Sequence, residues 1–104
     1  MKSALQTLRD MTVTKADVVH DYVQLAFGDS VGLSIYNEIS LAPESIPFDQ
    51  LKGKCVKSVV ESEESIALEF TDGTRLAVNL HAVGYRGPEA LQLVRRGEPP
   101  MIWN

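Results

Sequence analysis

Gly28-Asp29-Ser30-Val31-Gly32 matches G-x-S-x-G, the nucleophile elbow of serine hydrolases. That chemistry needs a strand, a strained turn and then a helix, in a fold of about 200 residues or more. Here the next residues, Leu33-Ser34-Ile35-Tyr36, alternate like a strand, so Ser30 is expected in an ordinary hairpin turn. His20 and His81 are the two histidines, and neither stands in a metal-ligand spacing with Cys55. Both are expected at strand ends, where imidazole can hydrogen-bond a charged partner. Glu61, Glu63 and Glu64 fall close together, but paired acid/base work needs two carboxylates across a cleft with separated pKa values. A polar turn is the plainer reading. No glycine-rich phosphate cradle is present. The chain reads as a non-enzyme, with no catalytic residue, no metal and no cofactor.

What remains is charge. The chain has 104 residues and a formal net charge of -4. Residues 16-51 hold Asp17, Asp21, Asp29, Glu38, Glu44 and Asp49 without a Lys or Arg, and residues 58-74 hold Glu61, Glu63, Glu64, Glu69 and Asp72 likewise. Such blocks disfavour nucleic acid or an anionic membrane as the main partner, since both need a basic face. They suit a basic protein, because complementary potential speeds encounter and suppresses wrong partners. With one cysteine no internal disulfide can form, which suits a reduced cytoplasm. The start, MKSALQTLRDM, lacks the apolar core of a signal peptide, and no apolar run reaches membrane-span length.

The elements that must position these acids follow from a duplication. Residues 8-35 align with 51-78 at an offset of 43 without a gap. Tyr22-Val23-Gln24-Leu25-Ala26-Phe27 faces Ser65-Ile66-Ala67-Leu68-Glu69-Phe70, and Leu33-Ser34-Ile35 faces Leu76-Ala77-Val78. Each copy predicts three antiparallel strands: 11-16, 22-27 and 31-36 in the first, 55-60, 65-70 and 74-80 in the second. Asp72-Gly73 between alternating segments is a strong hairpin signal. Residues 2-10 predict a short N-terminal helix with Ala4, Leu5 and Leu8 as its apolar stripe. Residues 37-50 predict a connector, since Pro43 and Pro47 oppose regular pairing, and residues 88-104 predict a C-terminal hairpin. The expectation is one mainly β domain over 1-104, with pseudo-repeats 8-36 and 51-80. About eight short strands would form a small sandwich or a partly open barrel.

In that scheme the first turn of each copy carries acid: Asp17 and Asp21 beside His20, and Glu61, Glu63 and Glu64. Glu38, Asn37, Asn79 and His81 join the same ends. The two acidic ends merge if the copies pack with those ends together, and oppose each other otherwise. Tyr36 and Tyr85 lie beside these loops, and amphipathic aromatics are common interface anchors. Tyr22 and Trp103 are expected at strand ends and against the core, and Cys55 in or near the core. The expected partner-binding set is Asp17, Asp21, Tyr36, Glu38, Glu61, Glu63, Glu64, His81 and Tyr85.

Leu51-x-Gly53-x-x-Val56, Leu68-x-Phe70-x-Asp72-Gly73-x-x-Leu76-x-Val78 and Tyr85-x-Gly87-Pro88-Glu89-Ala90 cover about 40 residues of hairpin grammar. The pattern resembles small bacterial immunity proteins of polymorphic toxin and contact-dependent growth inhibition systems. The resemblance implies a cytoplasmic, non-enzymatic protein, a monomer or weak dimer. Such a protein neutralises one basic, nuclease-like toxin domain by covering its active-site cleft. It carries no catalytic residues over. The competing expectation is a structural or self-associating β module without a toxin partner.

Overall fold

The computed structural model describes residues 4-44, 46-85, 87 and 89-104. Nine strands occur among them: β1 (Lys15–Val19), β2 (Tyr22–Phe27), β3 (Val31–Ile35), β4 (Ile39–Ala42), β5 (Val56–Glu61), β6 (Ser65–Phe70), β7 (Arg75–Asn79), β8 (Leu91–Arg95) and β9 (Met101–Trp103). They form two antiparallel sheets and no closed barrel. Sheet 1 has the order β1-β2-β3-β8-β9 and sheet 2 the order β4-β7-β6-β5.

The offset of 43 governs the pairing itself. Lys15 opposite Ala26 in the first meander becomes Ser58 opposite Glu69 in the second. Val23 opposite Ile35 becomes Ile66 opposite Val78. Each meander then receives its fourth strand from the other half: β8 pairs with β3, and β4 pairs with β7. The two halves meet where Thr12 bridges Cys55, its own equivalent. Around that bridge the backbone bonds come in symmetric pairs. The Asp10 N–H donates to Val56 O at 2.8 Å and the Gly53 N–H to Val13 O at 2.7 Å. The Val56 N–H reaches Met11 O and the Val13 N–H reaches Lys54 O, both at 2.9 Å. Each of these bonds is its counterpart moved by the offset, so a pseudo-two-fold axis passes between residues 12 and 55.

The inward positions fill one core. Leu25, Phe27, Leu33 and Ile35 from sheet 1 meet Leu68, Phe70, Leu76 and Val78 from sheet 2, all buried. Alternation along each strand sends the intervening side chains outward, as the period of two requires. Three 3-10 turns occur among the described residues, Ala4–Leu8, Phe48–Leu51 and Ala82–Gly84, and the first two are equivalent under the offset. Ala4–Leu8 buries Leu5 and Leu8, and Phe48–Leu51 buries Phe48 and Leu51. The first turn ties the sheets together: the Gln6 amide donates to Val59 O at 2.9 Å, and the Arg95 guanidinium donates to Ala4 O at 3.3 Å.

Four sequence expectations need correction. The N-terminal segment is a 3-10 turn over Ala4–Leu8, because its two buried leucines are three apart, one 3-10 turn; residues 2 and 3 lie outside the described residues. The first strand is Lys15–Val19 instead of 11-16, since residues 10-13 bond to the equivalent segment of the other half. Residues 37-50 contain β4, because Ile39 and Leu41 turn toward the core ahead of the cis Ala42–Pro43 bond, and the second 3-10 turn. The strands number nine instead of about eight, β4 being the addition.

Candidate functional site at the acidic end

The crossovers decide where the acids go. β3 ends at Ile35 and β4 begins at Ile39, opposite Val78 at the end of β7. Three residues cannot span the length of a sheet, so the ends of β3 and β7 lie at the same end of the sandwich. The β1-β2 turn (His20, Asp21) and the β5-β6 turn (Ser62, Glu63, Glu64) belong to that end as well. The two first turns therefore face the same way, which the sequence left open.

This upper end carries Asp21, Glu38, Glu61, Glu63, Glu64 and Glu89. Of the 10 Lys and Arg, Lys2 and Arg86 lie outside the described residues. All the others (Arg9, Lys15, Lys52, Lys54, Lys57, Arg75, Arg95 and Arg96) lie toward the lower end or in the segments that meet there. The lower end is mixed in sign. Lys15 pairs with Asp17 at 3.6 Å, Arg75 with Glu69 at 3.5 Å, and Lys54 with Asp72. There the Lys54 ammonium donates to the Asp72 carboxylate, the Thr74 N–H and hydroxyl donate too, and together they hold Asp72 down from 3.8 to about 2.

Within the upper end, Glu38, Glu64 and His81 line one groove of about 290 Å³ on the outer side of sheet 2. Ser40, Ser65, Ala77 and Asn79 supply much of its wall and floor, with Ile39 and Val78 beside them. Those small side chains, at outward positions of β4, β6 and β7, leave the sheet surface open. Asn79 holds the groove together. Its Oδ1 accepts the His81 N–H at 2.8 Å, its own N–H donates to Glu38 O at 2.9 Å, and its carbonyl accepts the Asn37 amide at 2.7 Å. The Glu38 N–H donates to Gly84 O, and the Leu80 N–H to Glu64 O. Gly84 is buried against the Asn79 side chain; a Cβ there would lie 2.7 Å from Asn79 Cγ. Glycine is thus the residue that lets the segment after β7 close onto Asn79.

The expected site set is divided by this geometry. Glu38, Glu64 and His81 come together, and Glu63 is exposed in the adjoining turn. Asp21 stands in the other first turn at the same end. Asp17 and Glu61 are corrections, because both are strand residues rather than turn residues. Asp17 lies midway along β1 opposite Gln24. Glu61 ends β5 on its inward side, and its Oε2 accepts the Gln6 amide at 2.9 Å. Tyr36 lies on the outer side of sheet 1, its ring 5.2 Å from that of Tyr22 and its hydroxyl directed at Gln92 Oε1 at 3.3 Å. Tyr85 is half-buried and packs on the core. The roles of Asn79 and Gly84 were missed. The sequence places Asn79 at this end, but no spacing marks it as the hub.

Ser30 is an exposed residue of the β2-β3 turn at the lower end, followed by a strand. His20 and His81 stand at the opposite end, so the G-x-S-x-G segment lacks both the helix of an elbow and a nearby imidazole. Among the described residues, no group of three or more His, Cys, Asp and Glu is placed to hold a metal ion, and no helix is long and apolar enough to cross a membrane. Comparison with protein-family models, curated proteins and solved structures finds no match.

Proposed function

We propose that this chain is a cytoplasmic immunity protein that binds a basic, nuclease-like toxin domain with its upper end and covers that domain's active-site cleft. The observation that carries the reading is the charge polarity. Six carboxylates of the described residues gather at one end, and the described Lys and Arg lie away from it. A concentration of like charge at one end attracts a basic protein and steers its approach, so a basic partner suits this face. The groove adds a local fit. A Lys or Arg side chain laid over Ala77 and Ser40 would run between Glu38 and Glu64, its stem on the sheet and its charge between carboxylates. The resemblance to immunity proteins of growth-inhibition systems agrees with this reading.

The test screens the proteins encoded beside the gene for a basic domain that stops growth, and co-expresses that domain with this chain. The expected result is a 1:1 complex and restored growth. The Glu38→Lys, Glu64→Lys double variant, with an unchanged urea midpoint, should associate at least about tenfold more slowly, because facing charges set the encounter rate. An unchanged association rate and affinity would remove this face from the assignment.

A further inference from the structure

The pseudo-two-fold supplies an internal control for the groove on sheet 2. Its lining residues have counterparts on sheet 1: Ser65 matches Tyr22 and Asn79 matches Tyr36 at the offset of 43. Ser40 matches Gln92, since Ser40 opposes Ala77 as Gln92 opposes Ser34. The backbone agrees. The Tyr36 N–H donates to Ala90 O at 2.9 Å, and the Asn79 N–H donates to Glu38 O at 2.9 Å. Glu38 therefore stands where sheet 1 has the buried Ala90.

The same place on the two sheets is built in opposite ways. On sheet 1 it is filled by two planar rings, Tyr22 and Tyr36, with centroids 5.2 Å apart, and the Tyr36 hydroxyl donates to Gln92 Oε1 at 3.3 Å. On sheet 2, Ser40, Ser65 and Ala77 leave a slot of about 290 Å³ over the equivalent backbone, with Glu38 and Glu64 at its rim. The Asn79 side chain is held against Gly84 and accepts the His81 N–H. Folding does not demand this difference. β3 reaches β4 through residues 36–38, whereas β7 reaches β8 through residues 80–90. The longer connection is what brings His81 and Gly84 to the slot. Acid in the turn is common to both halves, Glu64 matching Asp21, so Glu38 in place of Ala90 is what sheet 2 adds.

We propose that the slot takes an arginine side chain of the partner. This deepens the toxin reading and rests on it for the source of the arginine. The counterpart shows what the backbone accepts at this place: planar groups side by side, one of them donating a hydrogen bond to the fourth strand. The rim adds a requirement. Ionised carboxylates accept hydrogen bonds and cannot donate them, so the occupant is a planar cation rich in donors. A guanidinium is flat, always charged and carries five N–H donors. An ammonium brings the charge, but as a compact, strongly hydrated point it leaves the slot unfilled. A neutral ring fills the slot and leaves both carboxylates without a counter-charge.

Nuclear magnetic resonance of the full chain tests this with two capped amino acids, Nα-acetyl-arginine methylamide and Nα-acetyl-lysine methylamide. The arginine probe should shift the amides of Ser40, Ser65 and Ala77 saturably, and bind at least about threefold more tightly than the lysine probe. Ser65→Tyr gives the slot the residue that its counterpart carries. It should keep a cooperative urea transition, since the position points outward, and weaken the arginine probe at least about tenfold. Glu38→Gln with Glu64→Gln should weaken it to a similar degree. No saturable shift with the arginine probe, equal binding of the lysine probe, or undiminished binding to Ser65→Tyr would each overturn the proposal. The titration needs no toxin, so the two readings fail separately. Arginine binding without any growth-inhibiting neighbour would retain the slot and remove the toxin as its source. A toxin complex that Ser65→Tyr does not weaken would retain the toxin and remove the slot.

Discussion

Replacing Gly84 with Ala puts a methyl carbon where the Asn79 side chain already is. The added Cβ would lie 2.7 Å from Asn79 Cγ, 2.8 Å from Nδ2 and 2.9 Å from Cβ. Contacts near 3.5–4.0 Å are comfortable, so the overlap is about 1 Å at three atoms. Asn79 cannot yield freely. Its Oδ1 holds the His81 N–H, and its backbone holds Glu38 and Asn37. Overpacking of this kind costs about 1–3 kcal/mol, and losing the His81 bond adds about 1 kcal/mol. The expected loss is therefore about 2–4 kcal/mol, a large part of the 5–15 kcal/mol typical of a whole domain. Urea unfolding should show a lower midpoint with an unchanged slope. The amides of Glu38, Glu64 and His81 should shift together. Truncating Asn79 to Ala removes Cγ and Nδ2, so the Gly84→Ala cost should fall by at least about 1 kcal/mol in that background. A Gly84→Ala protein within about 0.5 kcal/mol of wild type, or costs that simply add, would refute the account of how this groove is closed.

Two further outcomes concern the lower end. Asp72 titrates near 2 in the folded protein against an ordinary 3.8. A depressed carboxyl stabilises fully above its unfolded pKa and loses that contribution as pH falls toward the folded value. The urea midpoint of wild type should therefore decline between about pH 4 and pH 2 more steeply than that of Asp72→Asn. Asp10 and Gly53 occupy equivalent positions, with φ of 70° and 91°. Asp10→Gly should stabilise by roughly 0.5–1 kcal/mol and Gly53→Ala should destabilise by roughly 1 kcal/mol, both read from urea midpoints, since only the backbone conformation is at issue.

The alternation of Ile66, Leu68 and Phe70, and of Val23, Leu25 and Phe27, was enough to place β6 and β2 to the residue. Periodicity with a hairpin turn is local information, and it also showed the duplication. β4 escaped because Pro43 and Pro47 follow directly on a four-residue strand whose pairing partner lies in the other half of the chain. β1 was misplaced for a related reason: residues 10-13 alternate like a strand but spend their hydrogen bonds across the pseudo-two-fold.

The charge blocks that make Glu38 and Glu64 candidates are written in the order of residues, and so is the repeat that gives each copy an acidic turn. Whether those turns meet or oppose was a matter of how the fourth strands cross. A hydrophobic pattern states that a strand has a buried side, but not which sheet supplies the neighbour. The exchange of β4 and β8 brought the ends of β3 and β7 together, and with them Glu38, Glu64 and His81. It sent Tyr36 and Asp17 to the other sheet's outer face, because residues one position apart in a strand point to opposite sides and strands of different sheets share no outer surface.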